Sequence, residues 1–267
     1  MIKKIRSTIN VKTIKRKFLC YHVKVASRVK TGYNRHMKLS ILIPAYNEER
    51  YIEQIISEIK AVDLSSLGIT QKEVILIDDG STDLTVKKAT SLMPSIKVIH
   101  HIKNQGKGAA LSSGMPHATG DIILIQDADL EYRPSEYPTL LKPMILGNED
   151  VVYGSRFLSR PRPKNMRLPY FIANKMGIFL INLMNGTSLT DPMTCFKFFK
   201  RRALQGMQLT CRGFGTDAEL TVKITKRGYK IKEVAIPYEA RTFKEGKKCY
   251  PQCSLNILWS IIKFSLK

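Results

Sequence analysis

The sequence contains no apolar run that is long enough to cross a membrane as a helix. Such a helix needs about 20 consecutive apolar residues. The nearest candidates, residues 176–184 and 255–266, are shorter, and Lys263 interrupts the second. The N-terminus is too polar to contain the apolar segment of a secretory signal. We therefore expect neither a membrane span nor secretion.

Cysteine is scarce, and its spacing follows no pattern of paired thiols. The five cysteines are an odd number, and no two of them are separated by two residues. The sequence therefore indicates neither a disulfide framework nor a zinc site. Scattered free thiols are typical of a reducing compartment.

Acidic residues are absent from the first 38 residues, which contain 12 Lys and Arg. The whole chain contains 44 basic and 22 acidic residues, which gives a formal net charge of +22. This balance favours anionic partners such as nucleic acid, an anionic membrane or a phosphorylated substrate. We interpret residues 1–38 as a basic extension, either a transit peptide or an arm that binds a surface.

Short apolar runs alternate with segments of helical periodicity. The apolar runs span residues 39–44, 74–78, 96–100, 121–125 and 151–153, and the helical segments span 48–60, 84–93 and 107–117. In the first helical segment, isoleucines recur at the spacing of one apolar helix face. Because the strands are continuous apolar runs, we predict an α/β fold with a mostly parallel central sheet and helices on both faces.

Carboxylates follow the predicted strand at residues 121–125. Asp127, Asp129 and Glu131 occupy every second position there, at the carboxyl end of a strand, where such sheets bind ligands. Three carboxylates this close repel one another unless a cation binds, and oxygen ligands suit Mg²⁺ or Mn²⁺. The alternative interpretation is a solvated acidic turn.

Two other strand ends have polar motifs that allow two interpretations each. Asp78 and Asp79 begin the motif DDGSTD, which suits a helix cap or hydrogen bonds to a base or ribose. The tripeptide GKG at residues 106–108 suits either a phosphate at a helix start or a plain tight turn.

Four of these motifs resemble, in order and spacing, family-2 glycosyltransferases of the GT-A fold. They are SILIPAYNEE at 40–49, VILIDDGSTD at 74–83, NQGKGAAL at 104–111 and DAD at 127–129. Motifs in the second half resemble the dolichol-phosphate mannosyltransferase branch, which moves a sugar onto a polyprenyl phosphate. They are YGSRF at 153–157, LTDPMTCFK at 189–197, GFGTDAEL at 213–220 and RTFKEGKK at 241–248.

The resemblance implies a division of the chain and a role for each matching position. It implies a single GT-A domain at 39–248. The basic extension at 1–38, which is not a feature of the family, precedes that domain, and a predicted C-terminal amphipathic helix at 249–267 follows it. A nucleotide-sugar donor, GDP-mannose or UDP-glucose, would be held by Pro44, Tyr46, Glu48, Asp79, Asp127, Ala128, Arg241 and Lys247. The cofactor Mg²⁺ or Mn²⁺ would be held by Asp129 and Glu131. The catalytic residues would be Asp127, Asp129, Arg156 and Asp217, and transfer would invert the anomeric configuration.

The acceptor decides which other groups the reaction needs. A phosphate is already an anion and needs cations to position it, for which Arg156, Arg241, Lys247 and the basic residues of 160–167 are suitable. A sugar hydroxyl needs a general base, and Asp217 is the candidate. The many basic residues favour transfer of mannose or glucose to a dolichyl or undecaprenyl phosphate. The alternative is transfer to a saccharide hydroxyl in polysaccharide or glycolipid synthesis.

Polyprenyl acceptors lie in the bilayer, so we expect a peripheral protein at the cytoplasmic face of a membrane, or otherwise a cytoplasmic one. The basic extension would be attracted to anionic lipids. Residues 255–264 predict either an interfacial amphipathic helix or a terminal helix packed on the core. A membrane-anchoring subunit is a further expected partner. Nucleic acid is not, because no motif for binding it occurs and the acidic strand ends would repel it.

Overall fold

The predicted strands assemble into one seven-stranded sheet. This computed structural model describes residues 36–241 and 251–266, with side chains from residue 256 onward in the second segment. The strands are β1 (Met37–Ala45), β2 (Ile69–Asp78), β3 (Lys97–His100), β4 (Ile122–Ile125), β5 (Val151–Ser155), β6 (Lys197–Lys200) and β7 (Ile231–Ala235). The helices of the described segments are α1 (Ile52–Ala61), α2 (Thr85–Leu92), α3 (Lys107–Gly114), α4 (Tyr137–Leu146), α5 (Arg156–Ser159), α6 (Leu168–Asn185), α7 (Arg201–Leu204), α8 (Thr216–Lys226) and α9 (Pro251–Leu266).

The sheet is mostly parallel, as the apolar runs predict. Its strand order is β3-β2-β1-β4-β6-β5-β7. Parallel pairs join β1 to β2 and β4, β2 to β3, and β5 to β7. β6 runs antiparallel to both of its neighbours, β4 and β5. The carboxyl ends of β1, β2 and β4 therefore meet at the same edge of the sheet.

Helices cover both faces of the sheet, which confirms the predicted architecture. Ile41 and Ile43 of β1 belong to an apolar cluster that includes the buried isoleucines of α1 and the buried side of α4. Leu42, between them, points to the other face and packs in a cluster with Leu111 of α3 and Leu220 of α8. Since both faces are covered, β4 and β5 are buried at every position and β1 at most of its positions, which is why these strands are apolar without alternation.

β2, β6 and β7 show what the strand patterns did not predict. β2 begins at Ile69, five residues before the predicted start, because residues 69–73 pair with β1 while three of their side chains remain exposed. β6 has only four residues, KFFK, and β7 has the sequence IKEVA. These two strands are held by their pairing with β5 rather than by a distinctive apolar pattern of their own.

The two ends of the chain are described in part. β1 begins at Met37, so the last two residues of the predicted extension belong to the sheet, and residues 1–35 lie outside the described residues. Helix α9 packs against α6 and α8, with Ile261 and Phe264 buried and Trp259 exposed. Across the described segments, the helices are too short or too polar to traverse a lipid bilayer.

Candidate active site

A cavity of about 470 Å³ opens where the carboxyl ends of β1, β2 and β4 meet. Every predicted site residue that the structure describes lines it: Pro44, Tyr46, Glu48, Asp79, Asp127, Ala128, Asp129, Glu131, Arg156, Asp217 and Arg241. Lys247, predicted to hold the donor, lies outside the described residues. Residues that are 197 positions apart in the sequence, Pro44 and Arg241, thus share one cavity.

The carboxylates after β4 crowd together around Arg241. The Arg241 guanidinium pairs with Asp129 through Nη2, and its backbone N–H donates to Glu131 Oε1 at 2.9 Å. The other oxygen of Glu131 accepts from the Tyr238 hydroxyl at 2.7 Å. Nε and Nη1 of Arg241 are buried and make no hydrogen bond. Nε lies 3.9 Å from Glu131 Oε1 and Nη1 lies 3.6 Å from Glu48 Oε2, so both nitrogens are in ion-pair range of a carboxylate without a bonded acceptor.

Asp129 has the most strongly perturbed acidity of this group. Burial raises its pKa, the carboxylates of Glu131 and Asp127 raise it further, and the charge of Arg241 only partly opposes them, so its pKa reaches about 8. A carboxyl group in this position is poorly stabilised as an anion. A bound cation would stabilise the Asp129 anion, because it would offset the repulsion from the neighbouring carboxylates.

Lys107 connects Asp127 to a second, deeper group of charges. Its ammonium lies 2.8 Å from Asp127 Oδ1 and 3.4 Å from Asp217 Oδ2. Burial lowers the pKa of Lys107, but the two carboxylates outweigh burial and hold the pKa well above its ordinary value. Lys107 is therefore a fixed cation beside Asp127, the carboxylate that is predicted to bind the nucleotide-sugar.

Lys197 completes this group and was not identified from the sequence. Its fully buried ammonium lies 3.0 Å from Asp217 Oδ1 and also donates to the carbonyl of Thr194. Burial raises the pKa of Asp217, yet Lys107 and Lys197 together bring that pKa below its usual range. The sequence signal was weak, because Lys197 begins the short KFFK strand and resembles an ordinary strand-edge lysine.

Asp79 holds the glycine-containing loop rather than pointing both oxygens into the cavity. Oδ1 accepts from the backbone N–H of Gln105 at 2.9 Å and contacts His101 Nδ1 at 2.7 Å, and Oδ2 accepts from Gly106 N–H at 2.7 Å. Gly106 has a φ of 93°, and a Cβ at Gly108 would lie 1.8 Å from the carbonyl oxygen of Cys211. The GKG tripeptide is thus the N-cap and the first two residues of α3, packed against residues 211–213, with Lys107 directed to the carboxylates.

Arg156 is bound by a single acidic partner. Its Nε and Nη2 donate to the two oxygens of Asp191, both at 2.7 Å, and Nη2 also reaches Asn174 Oδ1 at 3.3 Å. Burial lowers the pKa of Arg156, and Asp191 raises it well above its ordinary value. Because Asp191 already balances this guanidinium, Arg156 reaches the cavity wall as part of a neutral pair.

The described part of the cavity lining is acidic. Among the described residues, six carboxyl side chains line the cavity, against three basic ones, Lys107, Arg156 and Arg241. The remaining lining side chains are largely apolar and include Met166, Ala173, Met193, Phe214 and Ile257. The cavity therefore combines an acid-rich region with an apolar wall, a combination that suits a cation with a polar ligand and an apolar group beside it.

The residues present fit a hard divalent cation, but not one enclosed by protein ligands alone. Among the described residues, no three His, Cys, Asp or Glu side chains are grouped to hold an ion. Mg²⁺ and similar cations need only one or two carboxylates when substrate phosphates and water complete their coordination. Asp129, whose pKa is raised by neighbouring carboxylates, is suited to supply one of them, with Asp127 beside it.

Comparisons with known proteins are consistent with this geometry. Residues 40–207 match the model of glycosyl transferase family 2. The chain is 30% identical over 215 residues to a dolichol-phosphate mannosyltransferase of Pyrococcus furiosus, a match that covers 79% of this chain and 59% of that protein. It is 28% identical over 216 residues to a UDP-N-acetylglucosamine–dolichyl-phosphate N-acetylglucosaminyltransferase of Methanococcus voltae, covering 73% and 83%. The chain thus spans about three fifths of the length of the first relative.

The fold also matches solved structures. Glucosyl-3-phosphoglycerate synthase of Mycobacterium tuberculosis, in complex with uridine diphosphate, superposes with a TM-score of 0.67 at 22% identity, covering 91% of this chain and 83% of that one. The same enzyme with Mn²⁺, uridine diphosphate and glucosyl-3-phosphoglycerate gives a TM-score of 0.65 at 21% identity, covering 89% and 81%. At this identity the likeness concerns the fold, which is GT-A. Since the family model matches more than half of the chain, this protein belongs to glycosyl transferase family 2.

Proposed function

We propose that this glycosyltransferase is an inverting enzyme that moves mannose or glucose from GDP-mannose or UDP-glucose to a polyprenyl phosphate, dolichyl or undecaprenyl. The observation that carries the proposal is the environment of Arg241. Asp129 fixes its guanidinium at the cavity, and its buried Nε and Nη1 make no hydrogen bond, although Glu131 and Glu48 lie 3.9 and 3.6 Å from them. A phosphate oxygen is the natural acceptor for such groups.

The donor is proposed to bind against the carboxylates after β4. Asp129 and Glu131 would hold Mg²⁺ or Mn²⁺, with Asp127 beside them against the donor, and the bound ion would offset the charge of the departing diphosphate. Lys107 keeps Asp127 in place at 2.8 Å and adds a fixed positive charge where negative charge develops. Glu131, engaged by Tyr238 and Arg241, holds Arg241 toward the cavity.

The acidity of Asp217 supports a phosphate acceptor over a hydroxyl. A hydroxyl acceptor needs a general base, which works best with a pKa near the operating pH. Lys107 and Lys197 hold Asp217 in the opposite state, with a pKa below its usual range and both oxygens bonded. A phosphate acceptor needs no base, and the apolar lining residues suit the first isoprene units of its chain.

The partners of the proposed reaction follow from this acceptor. A polyprenyl phosphate lies in the bilayer, so we place the enzyme peripherally at the cytoplasmic face of a membrane. Two relatives, from Pyrococcus furiosus and Methanococcus voltae, are named for transfer to dolichyl phosphate. Their names support the proposed polyprenyl phosphate acceptor. A membrane-anchoring subunit remains a further proposed partner.

The test is a transfer assay with the full chain. Radiolabelled GDP-mannose and UDP-glucose are supplied separately with Mn²⁺ or Mg²⁺ and a short polyprenyl phosphate, and label extracted into organic solvent is counted. We expect one of the two donors to label the lipid phase. With Asp129→Asn, the amount of label should fall at least about a hundredfold, because a charge contact of the transition state is lost. The matched control Asp63→Asn, at an exposed position, retains activity. Label that enters a saccharide acceptor and never the lipid would replace the proposal with the hydroxyl-acceptor alternative.

A further inference from the structure

Helix α6 presents a stripe of large apolar side chains to solvent. Leu168, Ile172, Met176, Phe179 and Leu183 are each between 49% and 68% exposed; together they are named the α6 stripe. Their spacings of four, four, three and four residues place them within an arc of about 80° on one side of the helix. Tyr170, Gly177, Ile178 and Ile181, on the opposite side, are buried.

The α6 stripe is unusual for a helix on the surface of a water-soluble domain. Such a helix has one apolar side facing the core and a polar side facing water, whereas α6 is apolar on both. Single exposed apolar residues are common, but a continuous row of five marks an interaction surface. The packing of the domain does not use this row, because the opposite side of the helix already faces the core.

The charges around α6 indicate what covers the stripe. Residues 151–190 contain six Lys and Arg and no acidic residue. Four of these basic residues are in the loop at residues 160–167, the basic loop, which leads into α6, and all four are exposed. Lys175, on α6 itself, is exposed too and lies 4.4 Å from the ring centre of Phe157. One acid from outside this stretch contacts the basic loop, because Glu239 pairs with Lys164 at 3.0 Å. Five exposed cations remain against that one carboxylate, and an apolar row bordered by such an excess of positive charge matches an anionic lipid surface.

We propose that the α6 stripe and the basic loop dock on an anionic lipid bilayer, with α6 lying along the interface. The apolar row enters the boundary between headgroups and acyl chains, and the basic loop contacts the headgroups. Each basic residue near such a surface strengthens partitioning by about fivefold. A protein partner is the less suitable occupant, because a single acid of the described residues, Glu239, pairs with one of the five exposed cations of the basic loop and α6, which is not the mixed charge of a typical protein interface.

The docked helix would bring the cavity to the membrane. Tyr170, Ala173 and Asn174, on other sides of α6, line the cavity, so one helix contacts both the bilayer and the proposed acceptor. The docking surface is carried by exposure and charge, and it does not depend on which sugar or acceptor the enzyme uses.

Vesicle flotation of the full chain, without any substrate, tests the surface. The variant Ile172→Gln/Phe179→Gln/Leu183→Gln is compared with the matched control Leu84→Gln/Ile102→Gln/Leu146→Gln, whose three residues are 50–99% exposed elsewhere. We expect the wild type and the control to float with vesicles containing phosphatidylglycerol. The stripe variant is expected to partition at least about tenfold less, from the apolar burial that it loses. Equal flotation of all three proteins, or no flotation of the wild type, would overturn the proposal.

A fluorescent reporter locates the contact on α6 itself. Trp259 is the only tryptophan of the chain, so Trp259→Phe removes the native signal and Phe179→Trp places a single reporter in the stripe. Lipids brominated in their acyl chains should quench this reporter and leave unquenched a reporter made by Ile102→Trp in the same background. Quenching at neither position, or equally at both, contradicts insertion of α6. Vesicle flotation and tryptophan quenching are both measured without donor or acceptor. A failed transfer assay would therefore not change either result.

Discussion

Individual charged residues of this protein work in pairs whose members are far apart in sequence. Asp217 is held by Lys197 and Lys107, and Asp129 by Arg241. Each pair is buried or nearly so, which makes removal of one partner more costly than removal of both. The residue scale is therefore where the clearest consequences of substitution arise.

Lys197→Met should destabilise the fold although Met fills a similar volume. The substitution removes the buried ammonium and leaves Asp217 with one cation in place of two, and breaking such a pair costs about 3–5 kcal/mol. Urea unfolding measures the change. The double variant Lys197→Met/Asp217→Asn should recover part of the loss, since no uncompensated carboxylate remains. A single variant as stable as the wild type would show that the pair contributes nothing.

The raised pKa of Asp129 makes stability depend on pH in a defined direction. The folded pKa of about 8 exceeds the ordinary aspartate pKa of 3.8, so the folded state binds the proton more tightly than the unfolded state does. That stabilisation is complete below the unfolded pKa and is lost as the pH rises toward 8.

Asp129→Asn should therefore exceed the wild type in melting temperature by a small margin at pH 5, just above the unfolded pKa, and by a larger margin at pH 8. The measurement is thermal unfolding in a chelating buffer, so that no divalent ion binds. Asp63→Asn serves as the comparison and should show no such divergence between the two pH values. If Asp129→Asn followed the wild type at both, the acidity assigned to Asp129 would be wrong.

At the scale of elements, the start of α3 depends on how closely it approaches a neighbouring loop. Gly108 lies against the Cys211 carbonyl, and a Cβ there would come within 1.8 Å of the oxygen. Backbone atoms cannot yield as a flexible side chain can. The position of Lys107, one residue earlier, depends on this approach.

Gly108→Ala should lower stability by about 1–3 kcal/mol, the usual cost of forcing extra volume into a packed site. Gly213→Ala is the matched control, because no atom lies within 4 Å of the position of its added Cβ. Differential scanning calorimetry of both variants provides the comparison. Equal melting temperatures would mean that the loop at residues 211–213 moves aside without cost.

At the scale of the whole molecule, the sheet brings residues from distant parts of the chain around one acidic cavity. Six carboxyl groups and three basic groups line that cavity, so an anionic donor and a divalent cation should bind better together than either does alone. Binding to the folded state alone raises stability by mass action.

Mn²⁺ together with UDP or GDP should raise the melting temperature, whereas either component alone should do so much less. At a ligand concentration of a hundred times its dissociation constant, the gain is about 2.7 kcal/mol. Asp129→Asn should lose most of the joint effect, while Asp63→Asn should keep it. A nucleotide that stabilises the wild type equally with and without Mn²⁺ would argue against a shared site.

Much of the fold could be predicted because the information was local. The apolar runs of β1 and β4 and the isoleucine face of α1 identify themselves within a few residues, and the polar residues after each strand followed from the topology of parallel sheets. β6 and β7 could not be predicted in this way. They are short and bordered by charge, and they exist as strands because β5 lies beside them.

In the candidate site, too, some features depend on local sequence and others on tertiary contacts. The sequence by itself determined the α/β class, the family and the carboxylates Asp127 and Asp129, since these depend on spacing within single segments. Only the tertiary structure decided that Lys197 faces Asp217, that Asp191 binds Arg156, and that the apolar row of α6 faces outward. The physical reason is that charge pairing and burial depend on distances between segments, which the order of residues along the chain does not specify.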